Sequence, residues 1–116
     1  TALELVDEFV VFWEENRSVL RVLHLATDEG DRRFQRIRVH LLNDITRALA
    51  AVTEASKAEA KVPDEIEAMA NAGVLVAMLA QVGAHLHGFE SWDIHTADLR
   101  TAMARQIAWS VTGTKP

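Results

Sequence analysis

The chain has 116 residues, the size of one ordinary domain, of which 49% are hydrophobic and 25% are charged. That balance excludes a disordered chain and leaves enough apolar side chains for a core. The formal net charge of −5 argues against this segment alone gripping DNA through its phosphates. The absence of cysteine excludes disulfides and thiolate metal sites, and it is compatible with a reducing compartment.

The apolar residues recur with helical spacing throughout, and no sustained alternation predicts a strand. We therefore predict one all-α domain over residues 1–116 with five helices, at about 2–15, 17–28, 32–59, 64–87 and 94–112. The longest apolar run, residues 72–84, is too short to span a bilayer, and no signal peptide is present. Because the chain begins with Thr rather than Met, we expect that it continues a longer protein.

The first three predicted helices carry the bulkiest apolar side chains. The first has a crowded aromatic face of Phe9, Phe12 and Trp13. The second begins near Asn16 or Ser18 and points Leu20 inward, with His24 a further candidate for that side. The third has an apolar stripe that comprises Phe34, Ile37, Leu41, Ile45, Leu49 and Val52. Its arginines, Arg47 among them, are predicted to be solvated or ion-paired.

The fourth predicted helix is apolar on two opposite sides. One side is a stripe of small residues, Gly73, Ala77, Ala80 and Ala84, and the other is a stripe of large ones, Leu75, Leu79, Val82 and Leu86. One face can meet the core of its own domain. The small face suits the close approach of another helix, and a domain of this size would struggle to cover both, so we predict a homodimer.

The ends of the last two helices follow from capping residues. We expect Pro63 or Asp64 to start the fourth helix and Gly88 to end it. Asp93 is then predicted to cap the fifth helix, and Gly113 to terminate it. The apolar stripe of that helix is Leu99, Met103 and Ile107, flanked by Ala102, Gln106 and Trp109.

No catalytic motif is present. None of the five histidines has an acidic residue three positions before it, so the Glu-x-x-His pairs of a di-iron bundle are missing. The sequence also lacks a Gly-x-Ser-x-Gly elbow and a glycine-rich phosphate loop. We therefore expect no enzyme, no metal site and no cofactor, and a metal-dependent bundle enzyme is disfavoured.

Several apolar faces carry features typical of a small-molecule pocket. Met69, Met78 and Met103 are predicted to face inward, where methionine adapts to varied ligand shapes. Gln81 and His85 share an otherwise apolar face with Met78, and they must find polar partners if buried. Those partners could belong to a ligand or to a second subunit, and the sequence does not separate the two.

The stretch FWEENRSVLRVLHLATDEGDRRFQRIRVHLL resembles the regulatory half of TetR-family transcriptional repressors. The matching positions are Trp13, Arg17, Leu20, Arg21, Asp31 and Phe34. The later stretch VPDEIEAMANAGVLVAMLAQVGAHL and the final amphipathic helix resemble that family too, so the likeness covers essentially the whole chain. One departure is that no glycine precedes Pro63, as one often does in the family.

This resemblance implies a bacterial, cytoplasmic regulator, with no membrane partner. It implies a five-helix domain that dimerises through a four-helix bundle, made of the last two helices of each subunit. A small apolar effector would bind among the earlier helices, and operator DNA would be bound only by a separate N-terminal helix-turn-helix domain, which this chain lacks. The effector would shift the population between subunit arrangements that differ in the spacing of the DNA-reading heads.

On this interpretation the expected ligand-binding residues are Phe9, Phe12, Trp13, Leu20, His24, Phe34, Ile37, Leu41, Met78, Val82 and His85. The expected dimer-interface residues are Ala77, Ala80, Ala84, Leu99, Met103, Gln106 and Ile107. The alternative is a helical-bundle interaction or dimerisation domain with a filled core and no ligand.

Overall fold

The computed structural model describes residues 4, 7–8, 10–11, 15, 30 and 32–113, and within this part of the chain there is no strand. Four helices lie in the described range: α1 (Arg32–Ala58), α2 (Ala68–Ala84), α3 (Leu86–Glu90) and α4 (Thr96–Thr112). Residues 4, 7–8, 10–11 and 15 are helical as well. The all-α prediction is confirmed for these residues, whereas most of the first two predicted helices falls outside them.

Helix α1 buries part of the predicted stripe, since Leu49 is buried and Ile45 packs against the core. Its inward face includes Leu42, Leu49 and Thr53, which are 7%, 4% and 0% exposed. Ile37 and Val52 are 47% and 43% exposed, so their inward prediction was wrong. The hydroxyl of Thr53 donates to the carbonyl of Leu49 at 2.8 Å, so the polar group of this buried residue has a partner.

Helix α2 starts later than predicted. Pro63 and Asp64 precede it in a turn, in which the N–H of Ile66 donates to the carbonyl of Pro63 at 3.1 Å. Glu67 is the N-cap: its carboxylate accepts from the N–H groups of Met69 and Ala70, at 3.1 and 2.6 Å. These two donors, Ala70 foremost, lower the pKa of Glu67 from its usual value of 4.5.

Helix α2 ends at Ala84, three residues before its predicted end, and Gly88 lies within the separate short helix α3. His85 marks the break, with φ −123° and ψ 24°. Its backbone N–H donates to the carbonyl of Val82 at 3.1 Å. Its ring Nδ1 lies 2.8 Å from the carbonyl oxygen of Gln81, which satisfies an acceptor near the helix end.

The predicted cap at Asp93 was also wrong. Asp93 has a positive φ of 61° and closes α3: its N–H donates to Glu90, and the N–H of Ile94 donates to Phe89. Helix α4 then begins at Thr96. It ends as predicted at Gly113, in the left-handed conformation, where an added Cβ would collide with the carbonyl oxygen of Lys61.

The core lies between α1, α2 and α4. Leu79 and Ile107, from α2 and α4, are its largest fully buried apolar side chains. Val10 joins this core from the N-terminal segment, and Leu86 joins it from α3. Among the described residues no helix has both the length and the apolar character needed to cross a membrane.

Candidate functional site

Helix α2 presents an apolar surface on the side away from the core. The inward side carries Leu75 and Leu79, which are 5% and 1% exposed, as the sequence predicted for the large stripe. We name the exposed side the outer face of α2; it consists of Ala70, Gly73, Val74, Ala77 and Gln81. Val74 is 69% exposed, so a β-branched side chain stands almost entirely in solvent in the single chain.

The small-residue stripe lies on one side of α2, but its burial changes along the helix. Gly73 and Ala77 are exposed, Ala84 is half-buried, and Ala80 is completely buried in the core of its own chain. The inward face of α2 is therefore wider than the large stripe alone.

The predicted interface residues of α4 divide in the same way. Gln106 is exposed and Leu99 is half-buried. Met103 and Ile107 are 4% and 2% exposed, so within one chain they belong to the core. On this helix, the residues open to contact with another molecule are Gln106 and its exposed neighbours.

The exposed side of α4 carries an aromatic residue beside a cation. Trp109 is 43% exposed, and the guanidinium carbon of Arg105 lies 5.5 Å from the centre of its ring. Ala102 and Gln106 are exposed on the same helix. Together these four residues form what we name the outer face of α4, which is mixed in character and includes a large apolar ring.

The predicted ligand-binding set is described only in part. Phe9, Phe12, Trp13, Leu20 and His24 lie outside the described residues. Phe34 and Leu41 belong to α1, whose backbone is described there. Met78 and Val82 are half-buried and pack against the core, and His85 is exposed at the break after α2. The last three thus share the C-terminal half of α2 and its end, whereas Ile37 is exposed on α1.

A groove between α1 and α2 was not predicted from the sequence. Its volume is about 320 Å³, and it is lined by Leu42, Asn43, Thr46 and Arg47 of α1 and by Met69, Gly73, Val76 and Ala77 of α2. Met69 is 45% exposed and lies in this groove, so its inward prediction was wrong. Neither helix carries a sequence pattern that indicates this groove.

A polar cluster joins three helices beside the core. The amide nitrogen of Asn71 on α2 donates to the hydroxyl of Thr53 on α1 at 3.3 Å and to the carbonyl of Ser110 on α4 at 3.2 Å. The Ser110 hydroxyl donates back to the Asn71 amide oxygen at 2.8 Å. Every polar group of this cluster has a partner, so it fixes the three helices relative to one another.

An ion pair joins the N-terminal segment to α4. Arg100 donates from Nε to Oδ1 of Asp7 at 2.6 Å, and the same oxygen accepts from a terminal nitrogen of the guanidinium. Val10, three residues after Asp7, is buried in the core. Among the described residues of the N-terminal segment, Val10 makes an apolar contact and Asp7 a charged contact with the rest of the domain.

Within the part of the chain that the structure describes, no group of three or more His, Cys, Asp or Glu side chains is placed to hold a metal ion. The surfaces found there are the two outer faces and the groove. These surfaces are the candidate binding sites of the described part of the chain.

Comparison with known proteins gives one match. A family model described as the C-terminal domain of tetracyclin-repressor-like proteins matches residues 1–116, the whole chain. No curated protein and no solved structure matches.

Proposed function

The chain belongs to the family of tetracyclin-repressor-like C-terminal domains, as the resemblance predicted, and from this premise we propose that it is the ligand-responsive dimerisation domain of a transcriptional repressor. Operator DNA would be bound by a separate N-terminal domain. A largely apolar small molecule would bind this chain and thereby change the affinity of the N-terminal domain for operator DNA. The interaction partners would be a second copy of the chain and the effector.

The observation that carries the proposal is the outer face of α2. Val74, Ala77 and Gly73 are exposed there, although the opposite side of the same helix is in the core. Burying a valine side chain is worth about 1.5–3 kcal/mol relative to leaving it exposed. A second copy that covered this face would gain that burial, and the small residues would let its helix approach closely.

The outer face of α4 also fits contact with a second copy of the chain. Trp109 and Gln106 combine a large ring with a polar group, the composition typical of the central part of protein interfaces. In the proposed dimer α2 and α4 of each subunit would form a four-helix bundle. Gln81, exposed on α2, would find a hydrogen-bond partner across that bundle or in water.

Substitution of Val74 by Glu tests the dimer. We expect light scattering to find a dimer for the unaltered chain and at least about a tenfold weaker association for Val74→Glu, since a carboxylate would be buried without a partner. The matched control is Val52→Glu, which places the same charge at an exposed valine of α1. A monomer at high micromolar concentration, or equal association of both variants, would contradict the dimer.

The effector role is tested by ligand response. A ligand that relieved repression about 100-fold would need to prefer one subunit arrangement by about 2.7 kcal/mol. We expect compounds from an apolar panel to raise the melting temperature of the dimer by binding the folded state. A dimer that responds to no compound in the panel would instead support the filled helical bundle.

A further inference from the structure

The groove between α1 and α2 has the size and composition of a small-molecule site. Its volume of about 320 Å³ lies at the lower end of the range of about 300–1,000 Å³ that ligand pockets occupy. Its apolar walls are Leu42 from α1 and Met69, Val76 and Ala77 from α2. Of the predicted effector-binding residues whose side chains are described, namely Ile37, Met78, Val82 and His85, none lines this groove.

Two polar groups of the groove, those of Arg47 and Asn43, can donate hydrogen bonds to an anion. Arg47 is its one charged lining residue. The Nε of Arg47 donates to the amide oxygen of Asn43 at 3.0 Å, and the terminal guanidinium nitrogens make no other bond to a described residue. With its oxygen engaged, Asn43 keeps an amide N–H₂ to donate. The hydroxyl of Thr46 already donates to the carbonyl of Leu42 at 2.8 Å.

We propose that this groove binds a small amphipathic carboxylate, with its apolar body between Leu42, Met69 and Val76 and its carboxylate on Arg47. An arginine fork matches a planar carboxylate and can bond both of its oxygens. The net charge of −5 disfavours a polyanion and leaves a singly charged ligand as the best fit. The proposal rests on the geometry of the groove, and it goes beyond the proposed function by naming a site and a ligand class.

Gly73 provides the space for the apolar body of the ligand. A Cβ added there would meet no atom within 4 Å, and the residue lies in the interior of α2 at an ordinary helical φ. A leucine at this position would therefore project into open space without backbone strain. It would also favour the helix, so loss of folding is not expected from Gly73→Leu.

The test compares octanoate with octanamide, an uncharged molecule of nearly the same shape, by calorimetry on the full chain. We expect octanoate to bind more tightly, and we expect chemical shifts to move at the groove residues of α1 and α2. Arg47→Gln should weaken octanoate binding at least about tenfold and leave octanamide binding nearly unchanged, since a charged hydrogen bond is lost. Arg36→Gln, at an exposed arginine of α1 outside the groove, controls for net charge and should bind like the unaltered chain.

Gly73→Leu should abolish the binding of both compounds while the helical circular dichroism is retained. Octanoate that binds Gly73→Leu as tightly as the unaltered chain would place the site elsewhere and overturn the proposal. Absence of octanoate binding at millimolar concentration would overturn it too. Because Gly73 also belongs to the outer face of α2, light scattering without ligand is repeated for Gly73→Leu to show whether it still dimerises. Arg47 lies outside that face, so Arg47→Gln separates loss of the groove from loss of the dimer.

Discussion

At Ala60 the chain leaves α1 through a residue with a side chain in the left-handed region, at φ 59°. The N–H of Ala60 donates to Lys57 and that of Lys61 to Ser56, the two bonds of a Schellman motif, in which glycine is usual. A Cβ in this conformation costs about 1–2 kcal/mol. Part of this cost is offset because alanine restricts the unfolded chain more than glycine does. We expect Ala60→Gly to raise the free energy of unfolding in urea by about 1 kcal/mol.

The same substitution at Ala51 is the control for Ala60→Gly. Ala51 is exposed in the interior of α1, where glycine costs about 1 kcal/mol relative to alanine. The two variants should therefore shift the stability in opposite directions. Equal destabilisation by both would show that the left-handed residue at the end of α1 carries no strain.

The capping carboxylate of Glu67 makes the stability of the fold depend on pH. The N–H groups of Ala70 and Met69 hold its pKa below the usual 4.5. A carboxylate with a lowered pKa in the folded state stabilises the fold above the pKa of the unfolded chain, and that contribution is lost as the pH falls through the folded value. We expect Glu67→Gln to lower the melting temperature at pH 7, and this difference from the unaltered chain to shrink as the pH falls below about 4.5.

Glu65→Gln is the control at the start of α2, because Glu65 is an exposed glutamate in the turn before the cap. It should change the melting temperature little at pH 7. A difference for Glu67→Gln that stayed constant down to acid pH would mean that the capping carboxylate does not act through its charge.

Between elements, Asn71 is the residue on which three helices depend. It bonds Thr53 of α1 and Ser110 of α4, and Thr53 is completely buried. Removing one partner from a buried hydrogen bond costs about 1–3 kcal/mol. We expect Asn71→Ala to lower the free energy of unfolding by that amount, and Asn43→Ala, which removes an exposed bond to Arg47, to change it by less than about 0.5 kcal/mol.

A double-mutant cycle separates the Asn71 bonds from its packing. If the side chain acts through Ser110, then Asn71→Ala and Ser110→Ala together should cost less than the sum of the two single changes. Additive losses would show that the bond from the Ser110 hydroxyl to the Asn71 amide oxygen contributes no coupling.

The inward side of a helix was predictable where large apolar residues recur at helical spacing. It was less predictable where a polar residue takes an inward position. Leu75 and Leu79 of α2 were placed inward correctly because large residues recur there at helical spacing. The inward place of Thr53 was missed, because its burial depends on Asn71, which is 18 positions away in the sequence. Local hydrogen bonds alone can move the end of a helix by several residues, as the Glu67 cap does at the start of α2.

The candidate surfaces show the same limit. The sequence predicted a second apolar side for α2, and Val74 and Ala77 are exposed there. It could not predict the groove, since a groove is formed by the distance between two helices and not by the pattern along either one. Arg47 was expected in solvent, and only its position beside Leu42 and Met69 makes it a candidate ligand contact.

Across the whole molecule, the pair of Asp7 and Arg100 joins positions 93 residues apart and ties the N-terminal segment to the last helix. In the proposed repressor, α4 contributes to the dimer bundle, and the N-terminal segment follows the DNA-binding domain. A shift of α4 that accompanied a change in subunit arrangement would therefore act on the N-terminal segment through this pair. The side chains are 40% and 37% exposed, so solvent screens the attraction and it is worth only about 0–1 kcal/mol.

Charge reversal tests whether this link is formed. We expect Asp7→Arg and Arg100→Asp each to lower the free energy of unfolding, because each places two like charges in contact. The double variant should recover part of that loss, with a coupling of about 0.2–1 kcal/mol that falls as salt is raised from low to molar concentration. Strictly additive losses at low salt would mean that the N-terminal segment is held by Val10 and its apolar neighbours alone, and the route from α4 to the DNA-binding domain would then have to pass through the core.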